Sequence, residues 1–248
     1  MKQKSGPDRL AIGLFLAPAL ILFLALVLTP IAVAAYTSLY KWNGFGLPTE
    51  FIGIGNFERL LEDETFIGDL RRGGLLIALS LVLQLPMSLG LALLLNQKLR
   101  GRAFYRLLFF APYVLSEVTT GVLFTMVFSP SRGVFTDVLW LADPDTVLYS
   151  LFLVISWKYF GLHMILYLAG RQSIPKELHE AAETDGAGVW QTFRHVTLPL
   201  LGPTIRVTIF LSVIGAIQLF DMVWVLTGGG PQATTRFQAG LQASPAAA

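Results

Sequence analysis

The chain has 248 residues, of which 54% are hydrophobic and 14% charged, about half the ~25% charge of an average soluble domain. A mean hydropathy of +0.63 leaves more apolar surface than one aqueous core can hide, so a water-soluble reading is excluded. Eighteen Lys and Arg against 16 Asp and Glu leave a net charge of +2, a poor footprint for nucleic acid. The absence of cysteine excludes disulfides, zinc–thiolate sites and a thiol nucleophile.

Taken in chain order, the apolar runs predict five membrane-spanning helices, because a helix satisfies its own backbone in lipid and needs about 20 apolar residues to cross. They fall at about 10–28, 75–95, 107–128, 147–170 and 207–226. The first run follows Lys2, Lys4 and Arg9 and precedes Ala32-Val33-Ala34, the pattern of a secretory signal. Its uncharged length exceeds the roughly 7–15 residues of a signal core, which favours a retained helix. Pro18, Pro86 and Pro112 lie inside runs, where neighbouring helices can re-satisfy the freed carbonyls. The fold class expected is therefore an all-α membrane protein, a polytopic helical bundle.

Basic residues between the runs set the orientation, since loops rich in Lys and Arg resist translocation. The N-terminal tail, the loop of Lys98, Arg100, Arg102 and Arg106, and the segment from Arg171 to Arg206 together hold eleven. The opposite side holds six, beside the acids Glu50, Glu58, Glu62, Asp63, Glu64 and Asp69. The first side is expected to be cytoplasmic, with an odd number of spans placing the C-terminus outside.

The cytoplasmic segment 171–200 predicts two short helices. Ser173 can cap the first, Pro175 suits its first turn, and Gly186 can take the left-handed position that ends it. The second is expected from Val189 to Val196, stopping at Pro199. Together they make a small knob beyond the membrane.

Within this knob, Glu180-Ala181-Ala182, three residues, Gly186, nine residues, Val196, one residue and Leu198-Pro199 resemble the EAA motif of ABC importer membrane subunits, E-A-A-x3-G-x9-I-x-L-P, with Val in place of Ile. Trp42-Asn43-Gly44, Phe51 to Phe57, Phe220-Asp221 and Thr227 to Pro231 are similar to the carbohydrate-uptake branch of that family. The resemblance covers about residues 10–231 and implies a transmembrane domain over 1–231. Its EAA coupling loop would dock on a cytoplasmic ATPase dimer through Glu180, Ala181, Ala182, Asp185, Gly186, Val196, Leu198 and Pro199. It further implies a second permease subunit, an extracytoplasmic solute-binding protein, a location in the cytoplasmic membrane and a sugar or related polyol as solute.

Members of this family continue into a sixth span, whereas residues 232–248 are Gln-, Ala- and Pro-rich. That tail reads as an aberrant or truncated end. The alternatives left open are a non-transporting membrane remnant or scaffold, and a permease for a non-sugar solute.

Charge at mid-membrane costs on the order of 2.5–3.5 kcal/mol, so each such residue is a candidate site. Glu117 lies near Tyr113, and Lys158 lies between Trp157 and Tyr159. The two read either as an interhelical pair or as solute contacts, and His163 reads as a buried hydrogen-bonding residue. Sugars have apolar faces rimmed by hydroxyls, so Gln218, Phe220, Asp221 and Trp224 form a second candidate patch; Trp224 fits an interfacial belt equally well. The candidate solute path is thus Tyr113, Glu117, Trp157, Lys158, Gln218, Asp221 and Trp224.

No G-x4-G-K-[ST] stretch, no metal-ligand spacing around His163, His179 or His195, and no G-x-S-x-G elbow occurs. No cofactor and no catalytic residue are expected, and ATP hydrolysis is assigned to a partner chain.

Overall fold

The computed structural model of the chain describes residues 9–97, 99–130, 133–134 and 140–228. It divides into two units, 1–70 and 71–248. The tail 232–248 expected to be aberrant lies outside the described residues.

The first unit begins with α1 (Arg9–Phe23), which continues through a widened turn at Leu24–Leu28 into α2 (Thr29–Thr37). Ile12–Thr37 is thus one helix of 26 residues, longer than the run expected at 10–28. A two-stranded antiparallel ribbon follows, with β1 (Tyr40–Lys41) pairing β2 (Glu50–Phe51) so that Tyr40 opposes Phe51. Gly44 and Gly46, at φ +89° and +72°, let the chain turn back between the strands. The Trp42 indole donates to the carbonyls of Phe45 and Gly46, and the Asn56 amide, from α3 (Gly55–Glu62), donates to those of Ser38 and Tyr40. These residues of the Trp-Asn-Gly and Phe51–Phe57 stretches therefore close a compact ribbon.

Helix α4 (Glu64–Leu79) runs through a widened turn at Ser80–Gln84 into α5 (Leu85–Asn96), a continuous helix of 33 residues. Next come α6 (Arg102–Val114), α7 (Glu117–Val127) and α8 (Pro144–Gln172). The knob follows: α9 (Lys176–Thr184), then α10 (Val189–Thr192), a widened turn at Phe193–Thr197 and α11 (Leu198–Leu200). The described chain ends with α12 (Gly202–Ile217) and α13 (Phe220–Thr227).

All three widened turns precede a proline at the second position of the next helix: Pro30, Pro86 and Pro199. A proline ring in a helix collides with the carbonyl four residues back and brings no N–H for it. In each case the residue before the proline donates five residues back instead, Thr29 to Leu24, Leu85 to Ser80 and Leu198 to Phe193. The widening makes room for the ring and the helix continues. Hence the second knob helix does not stop at Pro199, as its sequence suggested, but passes through it to Leu200.

Two expected spans are interrupted. The run 107–128 is divided between α6 and α7, which meet at 98°. The run 207–226 is divided between α12 and α13 at Gln218-Leu219. Among the described residues, three helices can cross a membrane by length and composition, and up to five segments if each sharply bent pair, 102–127 and 189–217, counts as one span.

Helix α8 organises the second unit, packing against α5, α6 and α12. At Gly161 its backbone comes so close to α6 that a Cβ would lie 1.9 Å from the Phe109 carbonyl oxygen. Only glycine fits there. One core cluster joins Val147, Leu151 and Val154 of α8 to Phe124 and to Met222 and Leu226 of α13; another joins Ala92 and Leu95 of α5 to Met164, Tyr167 and Leu168.

Candidate functional site

The knob is built by local chain chemistry. Helix α9 starts after Pro175, whose backbone is the N-cap and whose side chain makes no capping bond. Ser173, expected to cap α9, instead ends α8 and donates its hydroxyl to the Gly170 carbonyl at 2.7 Å. At the far end Gly186 has φ +80°, its N–H donates to Glu183, and Ala187 donates to Ala182. This pair of bonds is a Schellman turn, which satisfies carbonyls the helix leaves open. A Cβ on Gly186 would meet nothing within 4 Å, so the requirement for glycine there comes from backbone conformation alone.

Glu180, Ala181 and Asp185 are exposed on α9 and its end, and Ala182 is half-buried. Val196, Leu198 and Pro199 lie on the second arm, in the widened turn and just after it. The arms are tied by His179 Nε2 and Thr197 Oγ1 at 3.2 Å, while His179 Nδ1 is buried and has no hydrogen-bond partner among the described residues. Val189 and Trp190 begin the second arm at 92% and 68% exposure, an apolar face beside the acidic rim.

The break between α6 and α7 gathers the first group of polar residues that the sequence places in apolar runs. Ending α6 at Leu115 leaves open carbonyls, and starting α7 leaves open N–H groups. The Ser116 hydroxyl accepts the Thr119 N–H at 3.1 Å, capping α7. Lys158, 3% exposed, reaches from α8 and donates to the Leu115 carbonyl. Glu117 occupies the first turn of α7 and accepts a hydrogen bond from the Tyr159 hydroxyl. A cation thus stands at the carbonyl end of one half-helix and an anion at the amide end of the next, the arrangement the helix dipoles favour. The Lys158 ammonium also lies 5.6 Å from the centre of the Tyr159 ring, which contacts Tyr113 edge-on.

Glu117 and Lys158 therefore share one site without a direct ion pair; Tyr159 and the Leu115 carbonyl are their partners. Trp157 points elsewhere and packs edge-on against Phe124 at 5.2 Å between ring centres. His163, expected to be hydrogen-bonded, is 3% exposed and its Nδ1 has no partner among the described residues.

The second break builds a different surface. Gln218 ends α12, Asp221 lies in the first turn of α13, and both are exposed. Phe220 and Trp224, one turn apart, stack at 5.8 Å and 18° and are 67% and 56% exposed. Helix α13 packs along α7, with Val225 against Gly121. Among the described residues, no hydrogen bond or ion pair joins Gln218 or Asp221 to Glu117 or Lys158.

Hydropathy missed both breaks and the role of Tyr159. A signal for the first was present: Pro112, then Ser116 as a cap with Glu117 after it, which is how a new helix begins. The partner of Lys158 is a backbone carbonyl, and no side-chain pattern announces one.

Bent helices with a two-arm knob, and apolar segments able to cross a membrane, are the architecture of an integral-membrane subunit. The model of the family described as binding-protein-dependent transport system inner membrane component matches residues 84–246, and the chain belongs to that family. A "Probable ABC transporter permease protein" of Pyrococcus horikoshii is 36% identical over 245 residues, covering 94% of this chain and 84% of the relative. The sulfoquinovosyl glycerol transport system permease protein of Agrobacterium fabrum is 37% identical over 238 residues, covering 92% and 77%. Among solved structures, a chain of a bacterial alginate ABC transporter, in complex with a periplasmic protein bound to alginate pentasaccharide, matches with a TM-score of 0.71 and 26% identity, over 94% of this chain and 83% of that one. Permeases of this family are non-catalytic membrane subunits, with the ATPase on a separate chain.

Proposed function

We propose that this chain moves a sugar or related polyol inward across the cytoplasmic membrane, beside a second permease subunit, with the solute delivered by an extracytoplasmic binding protein. The carrying observation is the exposed Phe220–Trp224 stack flanked by Gln218 and Asp221 at a helix break. Aromatic faces suit the apolar side of a sugar ring, and the amide and carboxylate suit its hydroxyls. The names of the relatives, sulfoquinovosyl glycerol and alginate transport among them, support carbohydrate as the solute class. Glu117 and Lys158 hold the neighbouring half-helix ends in register, and Tyr113 lines the same break.

The knob is the contact for an ATPase dimer. Glu180 and Asp185 give it an acidic rim, small Ala181 and Ala182 allow close approach, and Gly186, Val196, Leu198 and Pro199 set the angle of the arms. The side chosen as cytoplasmic is the one with eleven of the basic residues, and it includes the N-terminal tail.

The test is uptake by cells co-expressing the chain with its ATPase, second permease and binding protein. Phe220→Ala with Trp224→Ala is expected to cut sugar uptake at least tenfold at normal expression, and undiminished uptake refutes the solute role. Because the chain has no cysteine, Ala187→Cys reports orientation. Protection from impermeant thiol reagents outside intact cells is expected, and labelling from outside refutes the cytoplasmic knob.

A further inference from the structure

Between the knob and the membrane helices lies a cavity of about 900 Å³, within the ~300–1,000 Å³ range of sites that hold small ligands. One wall is apolar, made by Leu89 and Leu93 of α5. It belongs to the helix Glu64–Asn96, which is long and apolar enough to cross a membrane. The polar part begins where that helix ends, at Asn96, and includes Arg171 from the last turn of α8 and Glu183 from α9. Arg171 is half-buried and Glu183 exposed, and among the described residues neither forms an ion pair or a side-chain hydrogen bond. The cavity therefore offers a cation, an anion and an apolar groove together, at the end of a helix able to cross a membrane.

We propose that this cavity holds one phospholipid with a phosphoethanolamine headgroup, its phosphate on Arg171, its ammonium on Glu183 and its acyl chain along Leu89 and Leu93. A guanidinium offers planar paired N–H donors that match phosphate oxygens. A primary ammonium has three N–H donors for the carboxylate. A choline headgroup has no N–H to give Glu183. A glycerol headgroup brings no cation, so Glu183 would be left without a counter-charge. A free zwitterion leaves the apolar wall uncovered. The reading rests on the membrane placement of α5 and α8 and is independent of the solute assigned above. The lipid would link the knob to the end of the membrane helices, so its occupancy bears on the freedom of the arms.

The test is native mass spectrometry on the full chain purified from membranes and exchanged into detergent with equal amounts of phosphatidylethanolamine, phosphatidylcholine and phosphatidylglycerol. One phosphatidylethanolamine is expected to be retained about tenfold over each of the others, the scale of one charge-assisted hydrogen bond. Glu183→Gln, at an exposed position with no packing to lose, should abolish the preference over phosphatidylcholine. Arg171→Ala should lower retention of all three, and Arg171→Lys should recover part of it. Equal retention of the three lipids by the unaltered chain overturns the proposal, as does an ethanolamine preference that survives Glu183→Gln. Displacement of the lipid by an equal concentration of soluble O-phosphoethanolamine overturns the membrane lipid as the occupant. None of these readouts involves transport, so their failure leaves the solute reading standing, and loss of sugar uptake leaves the lipid reading standing.

Discussion

The helices Ile12–Thr37 and Pro144–Gln172 are of similar length and both apolar enough to cross a membrane, yet they differ in almost every other respect. The first has a mean hydropathy of 2.7 over its most apolar stretch and buries none of it; α8 has 1.5 and buries half. Among the described residues the more apolar helix joins no core cluster, whereas the less apolar one is the hub of its own unit. In hydrocarbon, apolar side chains gain nothing by leaving lipid, so helices associate through close packing and polar contacts. Helix α8 carries the means for both: Gly161 and Gly170 for close approach, and Ser150, Lys158, His163 and Tyr167 buried along its length. Hydropathy thus does not report which helix packs; the small and polar residues do.

The sharpest way to break this contrast is to add one methyl group to each helix. Gly161→Ala would put a Cβ 1.9 Å from the Phe109 carbonyl oxygen and 2.5 Å from its carbon, both backbone atoms that cannot turn aside. Helices α6 and α8 must separate, at an expected cost of about 3 kcal/mol or more, the upper range of overpacking. Gly13→Ala in α1 meets nothing within 4 Å and should stabilise by roughly 0.5–1 kcal/mol through helix propensity. Thermal unfolding in detergent is the measurement; equal responses at the two positions would dissolve the distinction.

The buried polar groups are the next lever. Lys158→Met keeps the length of the side chain but leaves the Leu115 carbonyl without its donor, for an expected loss of about 2 kcal/mol. Tyr159→Phe removes the donor to Glu117 and should cost about 1 kcal/mol. Because Lys158 and Glu117 have separate partners, the cycle of Lys158→Met with Glu117→Gln should show a coupling below about 1 kcal/mol. A coupling as large as the Lys158 loss itself would mean that the two charges form one pair.

These cases show what the sequence could tell. Composition alone made lipid necessary, and the left-handed turn at Gly186 followed from helix-ending chemistry. The apolar runs around α1, α5 and α8 were legible because hydropathy needs no knowledge of partners. The breaks at Leu115 and Gln218 were not, since a half-helix and a whole one have the same average hydropathy. Ser173 was misplaced because the same hydroxyl can end one helix or begin the next, and only Pro175 between them decides. The path of the chain through Pro199 was hidden for a related reason: proline stops a helix unless the turn before it widens.

At the knob the expected effect is smaller and purely conformational. Gly186→Val places a β-branched residue at φ +80°, where the strain is roughly 1–2 kcal/mol although the space is empty. The Schellman bonds to Glu183 and Ala182 should loosen, with weaker recovery of the ATPase on co-purification and little change in the amount of inserted chain. Gly186→Asn, which tolerates the left-handed region, should restore much of that recovery. Unchanged recovery with valine would show that the angle between the arms does not matter for docking.

The smallest effect returns to the two helices through a matched pair of hydroxyls. Thr208 Oγ1 of α12 is hydrogen-bonded to the Tyr167 hydroxyl of α8 at 2.8 Å as well as to the Ile205 carbonyl of its own helix at 2.9 Å, and Thr208 is fully buried. Thr29 Oγ1 donates to the Leu24 carbonyl at the same distance, but it is exposed and the bond stays within its own helix. Replacing either threonine by valine preserves shape and removes the hydroxyl. Thr208→Val leaves a buried tyrosine oxygen without its partner between two packed helices and should cost about 1 kcal/mol. Thr29→Val gives up a bond that joins nothing to the rest of the chain, and the Leu24 carbonyl still accepts the Thr29 N–H, so its effect should stay within about 0.5 kcal/mol of zero. Adding Tyr167→Phe to Thr208→Val should recover part of the loss, because an apolar pair of the same shape leaves no polar atom stranded. If Thr29→Val proves as costly as Thr208→Val, polar side chains matter to these helices for local turn geometry, and their role in joining α8 to its neighbours falls away.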